Sequence, residues 1–159
     1  MDIVYVAAEI DAEPRTLFGS EYAERSPVIS PDGRLLAFTS DESGRDEIYV
    51  MALVDPASAR RVSREGGTEP RWAHSGDRIL FRSGTLLAEA EITTTGRLSV
   101  SEPRTLFLTH NPYESNIGHT TYEVDIDDSR FLMIRQSYLG EAVVVFNLSE
   151  ELDDRAGGG

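Results

Sequence analysis

The chain has 159 residues, of which 40% are hydrophobic and 27% are charged, a composition typical of folded globular proteins. Its net charge of -13 disfavours nucleic acid and anionic membrane surfaces as partners, because the long-range field repels phosphate groups. The absence of cysteine excludes disulfides, thiol catalysis and cysteine-based zinc sites.

The first half of the chain is predicted to consist of short strands separated by polar turns. Pro31-Asp32-Gly33 is predicted to be a structural turn, because Pro presets φ, Asp bonds the backbone and Gly accepts a positive φ. The run Ile48-Tyr49-Val50 has strong β propensity. The predicted strands are 3–10 and 14–18 in a half unit at 2–18, followed by 28–30, 35–40, 47–53 and 60–63 in a full unit at 26–63.

The second half repeats this pattern. A second unit at 69–108 has predicted strands 70–73, 78–83, 86–92 and 98–108. A third, incomplete unit at 121–148 has predicted strands 122–126, 130–136 and 142–148, and residues 153–159 are predicted to be a flexible tail.

An internal repeat connects these units. Segments 27–40 and 70–83 match at Pro, Gly, Phe and Ser about 43 residues apart, which is the length of one propeller blade. Short strands at this period predict an all-β fold, a partial β-propeller of four-stranded antiparallel blades. About three blades form an incomplete ring, so we expect pairing with a second copy in a homodimer or with the remaining blades of a larger parent protein.

Two phrases resemble a known repeat family. Segments 30–40 and 44–50 resemble the TolB-like, PD40-type (WD40-like) β-propeller repeat, named for its Pro-Asp pair. Segments 66–72, 130–135 and 143–152 look more narrowly like the C-terminal propeller of bacterial serine/threonine kinases. The resemblance covers roughly residues 2–152. It implies a periplasmic or otherwise extracytoplasmic location, although the sequence itself predicts neither a signal peptide nor membrane insertion.

Three aspartates are candidate metal ligands. Asp125, Asp127 and Asp128 place three carboxylates within four positions, and hard oxygen ligands suit Ca²⁺. Their spacing does not fit a twelve-residue EF-hand loop. Solvated turn residues are the simpler interpretation, so we predict no metal and no cofactor.

The long loop of the third unit supplies candidate binding residues. His110 and His119 bracket it, and Tyr113 and Glu114 lie between them. A histidine pair with Glu114 is compatible with a transition metal or with acid–base chemistry, whereas surface histidines are the commoner interpretation. Loops carry function more often than the scaffold does, so these four residues are candidates for ligand binding.

The function predicted from these observations is non-catalytic. The chain lacks a Gly-x-Ser-x-Gly nucleophile elbow and the kinase signatures, so no catalytic residue is predicted. We expect a scaffold or sensor module that binds a protein or small ligand on a loop face, within a larger bacterial protein such as a receptor-type serine/threonine kinase. The alternative is an accessory propeller of a prolyl-oligopeptidase-like hydrolase or of a lyase, where it gates or positions substrate.

Overall fold

The computed structural model describes residues 2–109, 120–136 and 142–145. Within these ranges the chain forms strands and turns and no helix, so it contains no helical segment able to cross a membrane. The strands are β1 (Ile3–Tyr5), β2 (Arg15–Phe18), β3 (Arg25–Ile29), β4 (Leu35–Ser40), β5 (Glu47–Ala52), β6 (Asp55–Arg61), β7 (Thr68–Trp72), β8 (Arg78–Ser83), β9 (Leu86–Thr93), β10 (Ser99–Val100), β11 (Arg104–Leu108), β12 (Tyr122–Val124), β13 (Phe131–Gln136) and β14 (Ala142–Val145).

The described strands form four separate antiparallel sheets. Strands β1 and β2 form a half-blade, and β3-β4-β5-β6 form the first blade in chain order. In the second blade β7 pairs with β8, β8 pairs with β9, and β9 pairs with both β10 and β11. Strands β12-β13-β14 form the third blade. Sequential antiparallel strands in repeated small sheets are the architecture of propeller blades. The predicted all-β, partial β-propeller fold is confirmed.

The outer strand of the second blade differs from the prediction. A single strand at 98–108 was expected, but the structure has β10 and β11, which pair with different parts of β9. Between them the Ser101 hydroxyl accepts the Glu91 N–H at 2.9 Å, and Pro103 has no N–H to donate. The ladder is therefore interrupted.

The same irregularity occurs in the first blade. There the Ser58 hydroxyl accepts the Ala52 N–H at 2.8 Å, and the register of β5 and β6 shifts. Strand β6 also begins at Asp55 rather than at the predicted residue 60. Pro56 within it is tolerated because β6 lies at a sheet edge. Ser58 and Ser101 are thus equivalent positions of the repeat.

Three turns of one geometry connect the first and second strands of the three blades. Gly33 and Gly76 have φ values of 72° and 75°, and Asp128 occupies the equivalent position with φ 59°. Each of the three N–H groups donates 2.9 Å to the carbonyl three residues earlier, in Ser30, Ala73 and Asp125 respectively. The third unit therefore keeps the turn although an aspartate replaces the glycine.

Among the described residues, neighbouring sheets pack face to face through hydrophobic cores. The core between the first and second blades includes Ile48 of β5 and Trp72 of β7. Trp72 also donates its indole N–H to the Val28 carbonyl at 3.1 Å. A second core joins the half-blade to the first blade around Phe38, and a third joins the second and third blades around Tyr122. Each sheet thus buries a face against the next.

A buried carboxylate fixes the connection from the first blade to the second. Glu47 accepts the Ser63 hydroxyl and the Arg45 Nε–H, the latter at 2.8 Å. Burial opposes ionisation, but these hydrogen bonds outweigh it and lower the pKa of Glu47. A side chain at Gly67 would come within 2.5 Å of the Ser63 hydroxyl. The connection therefore has little freedom, and Arg64 lies within it.

The left-handed turn predicts a specific cost at Gly33. Nothing lies within 4 Å of a Cβ added there, so a side chain is strained only by the backbone. We expect Gly33→Val to lower the free energy of unfolding by about 1–3 kcal/mol in urea denaturation. Gly33→Asn should lose less, because asparagine adopts this conformation more readily. A Val variant as stable as the wild type would contradict this account.

Candidate binding groove between the first two blades

The three candidate metal ligands have different partners. Asp125 forms an ion pair with Arg130, and Asp127 accepts the Ser129 N–H at 3.1 Å and the Ser129 hydroxyl at 2.7 Å. Asp128 instead reaches the second blade. Among the described residues, no three histidine, aspartate or glutamate side chains converge in a way that could hold a metal ion.

Asp128 connects the third blade to the second. Its carboxylate accepts the His74 N–H at 2.8 Å and the Ser75 N–H at 3.4 Å, and it lies 3.2 Å from Arg78. Partial burial alone would raise the pKa of Asp128, but these hydrogen bonds and the Arg78 charge outweigh it and lower the pKa. The aspartate therefore acts as an ionised clamp between two turns.

The candidate loop residues His110, Tyr113, Glu114 and His119 lie outside the described residues, so their role stays a prediction. The ends of the loop are described. On one side the Thr109 N–H donates to the Thr85 carbonyl at 2.8 Å. On the other side the Thr121 N–H donates to the Glu69 carboxylate at 2.6 Å. Both ends are thus attached to the second blade.

Glu69 is a buried anchor that the sequence did not reveal. Only 3% of it is exposed, and its φ of 56° belongs to a bulge in β7. Its carboxylate binds Thr121 and lies 3.7 Å from Arg82, and its carbonyl accepts the Tyr122 hydroxyl at 2.9 Å. Burial raises the pKa of Tyr122 well above its usual range, so its hydroxyl stays a donor. Glu69 therefore holds the third blade in place.

A cavity of about 740 Å³ lies between the outer turns of the first and second blades. Leu35, Leu53 and Val54 from the first blade and Leu98 from the second give it an apolar surface. Val54 is 95% exposed, so an apolar side chain is presented to solvent here without a covering residue among those described. The cavity volume suits a ligand or a few side chains of a partner.

A second cavity, of about 580 Å³, continues the first along β6 and β10. Both are lined by Arg60, Arg97 and Leu98, and the second adds Arg61 and Arg64. We call the two cavities together the inter-blade groove. Because these arginines come from β6, from the connection after it and from the β9–β10 turn, no local sequence motif announces them.

The inter-blade groove is basic in an acidic protein. Arg64 pairs with Glu102 at 2.9 Å. Within the described part of the chain, Arg60, Arg61 and Arg97 form no ion pair with a carboxylate. Since guanidinium groups remain charged at all physiological pH values, the groove concentrates positive charge without direct ion pairs, with Asp55 as the acidic residue among those that line it.

The Asp128 clamp predicts a pH-dependent stability. Its lowered pKa contributes stability that is present above about pH 4, the ordinary aspartate pKa, and that is lost as the pH falls through the lowered folded-state value. We expect Asp128→Asn to reduce the free energy of unfolding by about 1–2 kcal/mol at pH 7. Asparagine tolerates the left-handed backbone, so the loss reports on the carboxylate contacts and not on backbone strain.

Urea denaturation at pH 7 and near pH 3 measures this difference. The gap between Asp128→Asn and the wild type should shrink at the lower pH, because Asp128 is then mostly protonated in the unfolded chain and folding has to release that proton. Asp127→Asn is the matched control: the Ser129 hydrogen bonds lower the pKa of Asp127 as well, but among the described residues it bonds only within its own turn, so its loss at pH 7 should be smaller. A gap that is the same at both pH values would contradict the clamp.

Comparison with known proteins gives one local sequence similarity. No family model matches the chain. Part of it is similar to the Tol-Pal system protein TolB of Thioalkalivibrio sulfidiphilus (strain HL-EbGR7), with 48% identity over 50 residues. The match covers 31% of this chain and 11% of that protein.

Two solved structures share the fold. TolB from Acinetobacter baumannii has a TM-score of 0.52 at 20% identity, and the match covers 91% of this chain and 37% of that one. An oligogalacturonate lyase from Vibrio parahaemolyticus has a TM-score of 0.58 at 15% identity, covering 83% and 35%. The chain thus spans little more than a third of either structure. These matches show that the chain has a β-propeller fold, and its local sequence similarity is to TolB.

Proposed function

We propose that the chain is a non-catalytic binding module that holds a peptide segment of a partner protein in the inter-blade groove. The observation that carries this proposal is the groove itself, an apolar and basic channel between two packed sheets. Val54 and Leu98 offer apolar contact on opposite sides, and Arg97 borders it. Apolar contact with a few convergent polar groups is the usual composition of a binding site.

The packing of the two blades behind the groove supports the same proposal. The core around Ile48 and Trp72 fixes the two blades against each other, and the Glu47–Ser63 contact fixes the connection between them. Binding to a preformed surface avoids the entropic cost of ordering loops. The two blades that flank the groove are therefore held in place before a peptide binds.

The wider context is part of the proposal. Because the chain spans little more than a third of the structures it matches, we place it with further blades, supplied by a larger bacterial protein or by a second copy. A receptor-type serine/threonine kinase with an extracytoplasmic propeller is the parent that the sequence resemblance favours. In that setting the module acts as a sensor or scaffold.

The second candidate function is an accessory propeller that positions substrate for a hydrolase or lyase. The similarity to the oligogalacturonate lyase is the observation compatible with it, although that similarity concerns the fold alone. The neighbouring coding sequence distinguishes the two. A downstream α/β-hydrolase segment would favour the accessory role, and an upstream kinase domain with a membrane helix would favour the sensor.

Selection of random peptides on the immobilised full chain tests binding in the groove. We expect recovered peptides to bind the wild type and to bind Val54→Asp at least about fivefold more weakly, since contact residues that matter cost more than about 1 kcal/mol. The substitution should barely change stability, because Val54 is 95% exposed.

Ile10→Asp is the matched control, because Ile10 is also 95% exposed and does not line the groove. It should leave peptide binding unchanged. If no peptide is recovered, or if all recovered peptides bind Val54→Asp as tightly as the wild type, the groove is not the binding site.

A further inference from the structure

The inter-blade groove combines an arginine cluster with an open strand edge, and together they indicate the chemistry of its ligand. We propose that the groove binds an extended acidic peptide, whose carboxylates pair with Arg60, Arg61 and Arg97 while its backbone adds to β6. This inference rests on the proposed function, because it specifies the class of peptide that the groove accepts.

The first argument is the distribution of charge. All 15 basic residues of the chain are arginine, against 28 acidic ones, yet four arginines line one cavity. In a protein of net charge -13, carboxylates are abundant enough to neutralise such a cluster, but among the described residues only Arg64 forms an ion pair with one, and Asp55 lines the adjoining cavity without such a pair. Like charges held together repel, so a ligand that supplies carboxylates is favoured there.

The second argument is the free edge of β6. The first blade has the order β3-β4-β5-β6, so β6 pairs with β5 on one side only within the described chain. An unpaired edge can accept an extended segment through main-chain hydrogen bonds. Arg60 lies opposite Val50 on the face of β6 toward the second blade, Arg61 lies opposite Tyr49 on the other face, and Arg97 lines the same cavity from the β9–β10 turn. A peptide added to β6 therefore passes beside all three guanidinium groups.

The third argument distinguishes a peptide from a small anion. Leu98 and Val100 line the same cavity as the arginines, and Val54 lies in the adjoining one. A free phosphate would use the guanidinium groups but not this apolar surface. Carboxylate and guanidinium groups pair in a planar, bidentate geometry. A peptide supplies such carboxylates and also brings apolar side chains. An acidic segment with interspersed apolar residues uses the whole groove.

Fluorescence anisotropy with the full chain tests this inference. The probe is a short fluorescein-labelled peptide of glutamates interrupted by two leucines, and the control probe has glutamine in place of every glutamate. We expect the glutamate probe to bind at least tenfold more tightly at low salt, and its advantage to shrink at about 0.5 M salt, where surface charges are screened.

Two charge-matched variants locate the binding. Arg60→Gln with Arg97→Gln should weaken the glutamate probe about tenfold, the effect of two surface pairs near 0.7 kcal/mol each. Arg15→Gln with Arg130→Gln removes the same charge away from the groove and should change binding less than twofold. Thermal melts of both variants verify that they are folded.

The outcomes separate this inference from the proposed function. Equal binding of the glutamate and glutamine probes, both lost in Val54→Asp, would overturn the acidic preference and leave a peptide-binding groove. If inorganic tripolyphosphate displaces the glutamate probe completely and the leucines contribute nothing to its affinity, the ligand of the groove is a small anion and not a peptide. Equal losses in the two charge-matched variants would show a general charge effect and would also overturn the inference.

Discussion

The packing of one sheet against the next is the constraint on which the rest of this structure depends. A sheet of three or four short strands has two faces and cannot bury both alone. In the described chain each sheet contributes to a core shared with its neighbour, and Trp72 links the first two both by burial and by its hydrogen bond to Val28. Burying a large apolar side chain stabilises by about 1.5–3 kcal/mol, so these shared cores supply the main force that positions the blades.

The inter-blade groove follows from the same packing. The cores hold the inner parts of the first and second sheets together, while their outer strands and turns meet less closely and leave a channel. Arg60 lines it from the face of β6 toward the second blade, and Arg97 lines it from the second blade. Polar anchors complete the arrangement, because Glu47 fixes the connection that carries Arg64, and Asp128 and Glu69 attach the third blade to the second. The sheets are therefore held together by apolar cores between their faces and by charged side chains at their turns and connections.

Local repetition made the fold predictable from sequence. The turns at Gly33, Gly76 and Asp128 have one geometry because residues close in sequence determine it, and the repeat of about 43 residues gave the blade architecture. The division of the outer strand was missed because the Glu91 N–H, a donor of the sheet ladder, bonds to the Ser101 hydroxyl. Strand propensity does not predict such a side-chain bond. The groove was missed because Arg60 and Arg97 come to line one cavity only after two blades pack. The aspartates, adjacent in sequence, diverge because one of them serves a neighbouring blade.

The central claim is that the blades are held by the cores they share, and Trp72 reports on it directly. It is the single tryptophan of the chain and lies in the core between the first and second blades. Urea unfolding followed by tryptophan fluorescence and by far-ultraviolet circular dichroism compares that core with the strands. Coincident transitions are predicted, because blades that depend on a shared core unfold as one cooperative unit. Exposure of Trp72 at a lower urea concentration, with the strand signal still intact, would show that the blades are stable without their contact and would contradict the account.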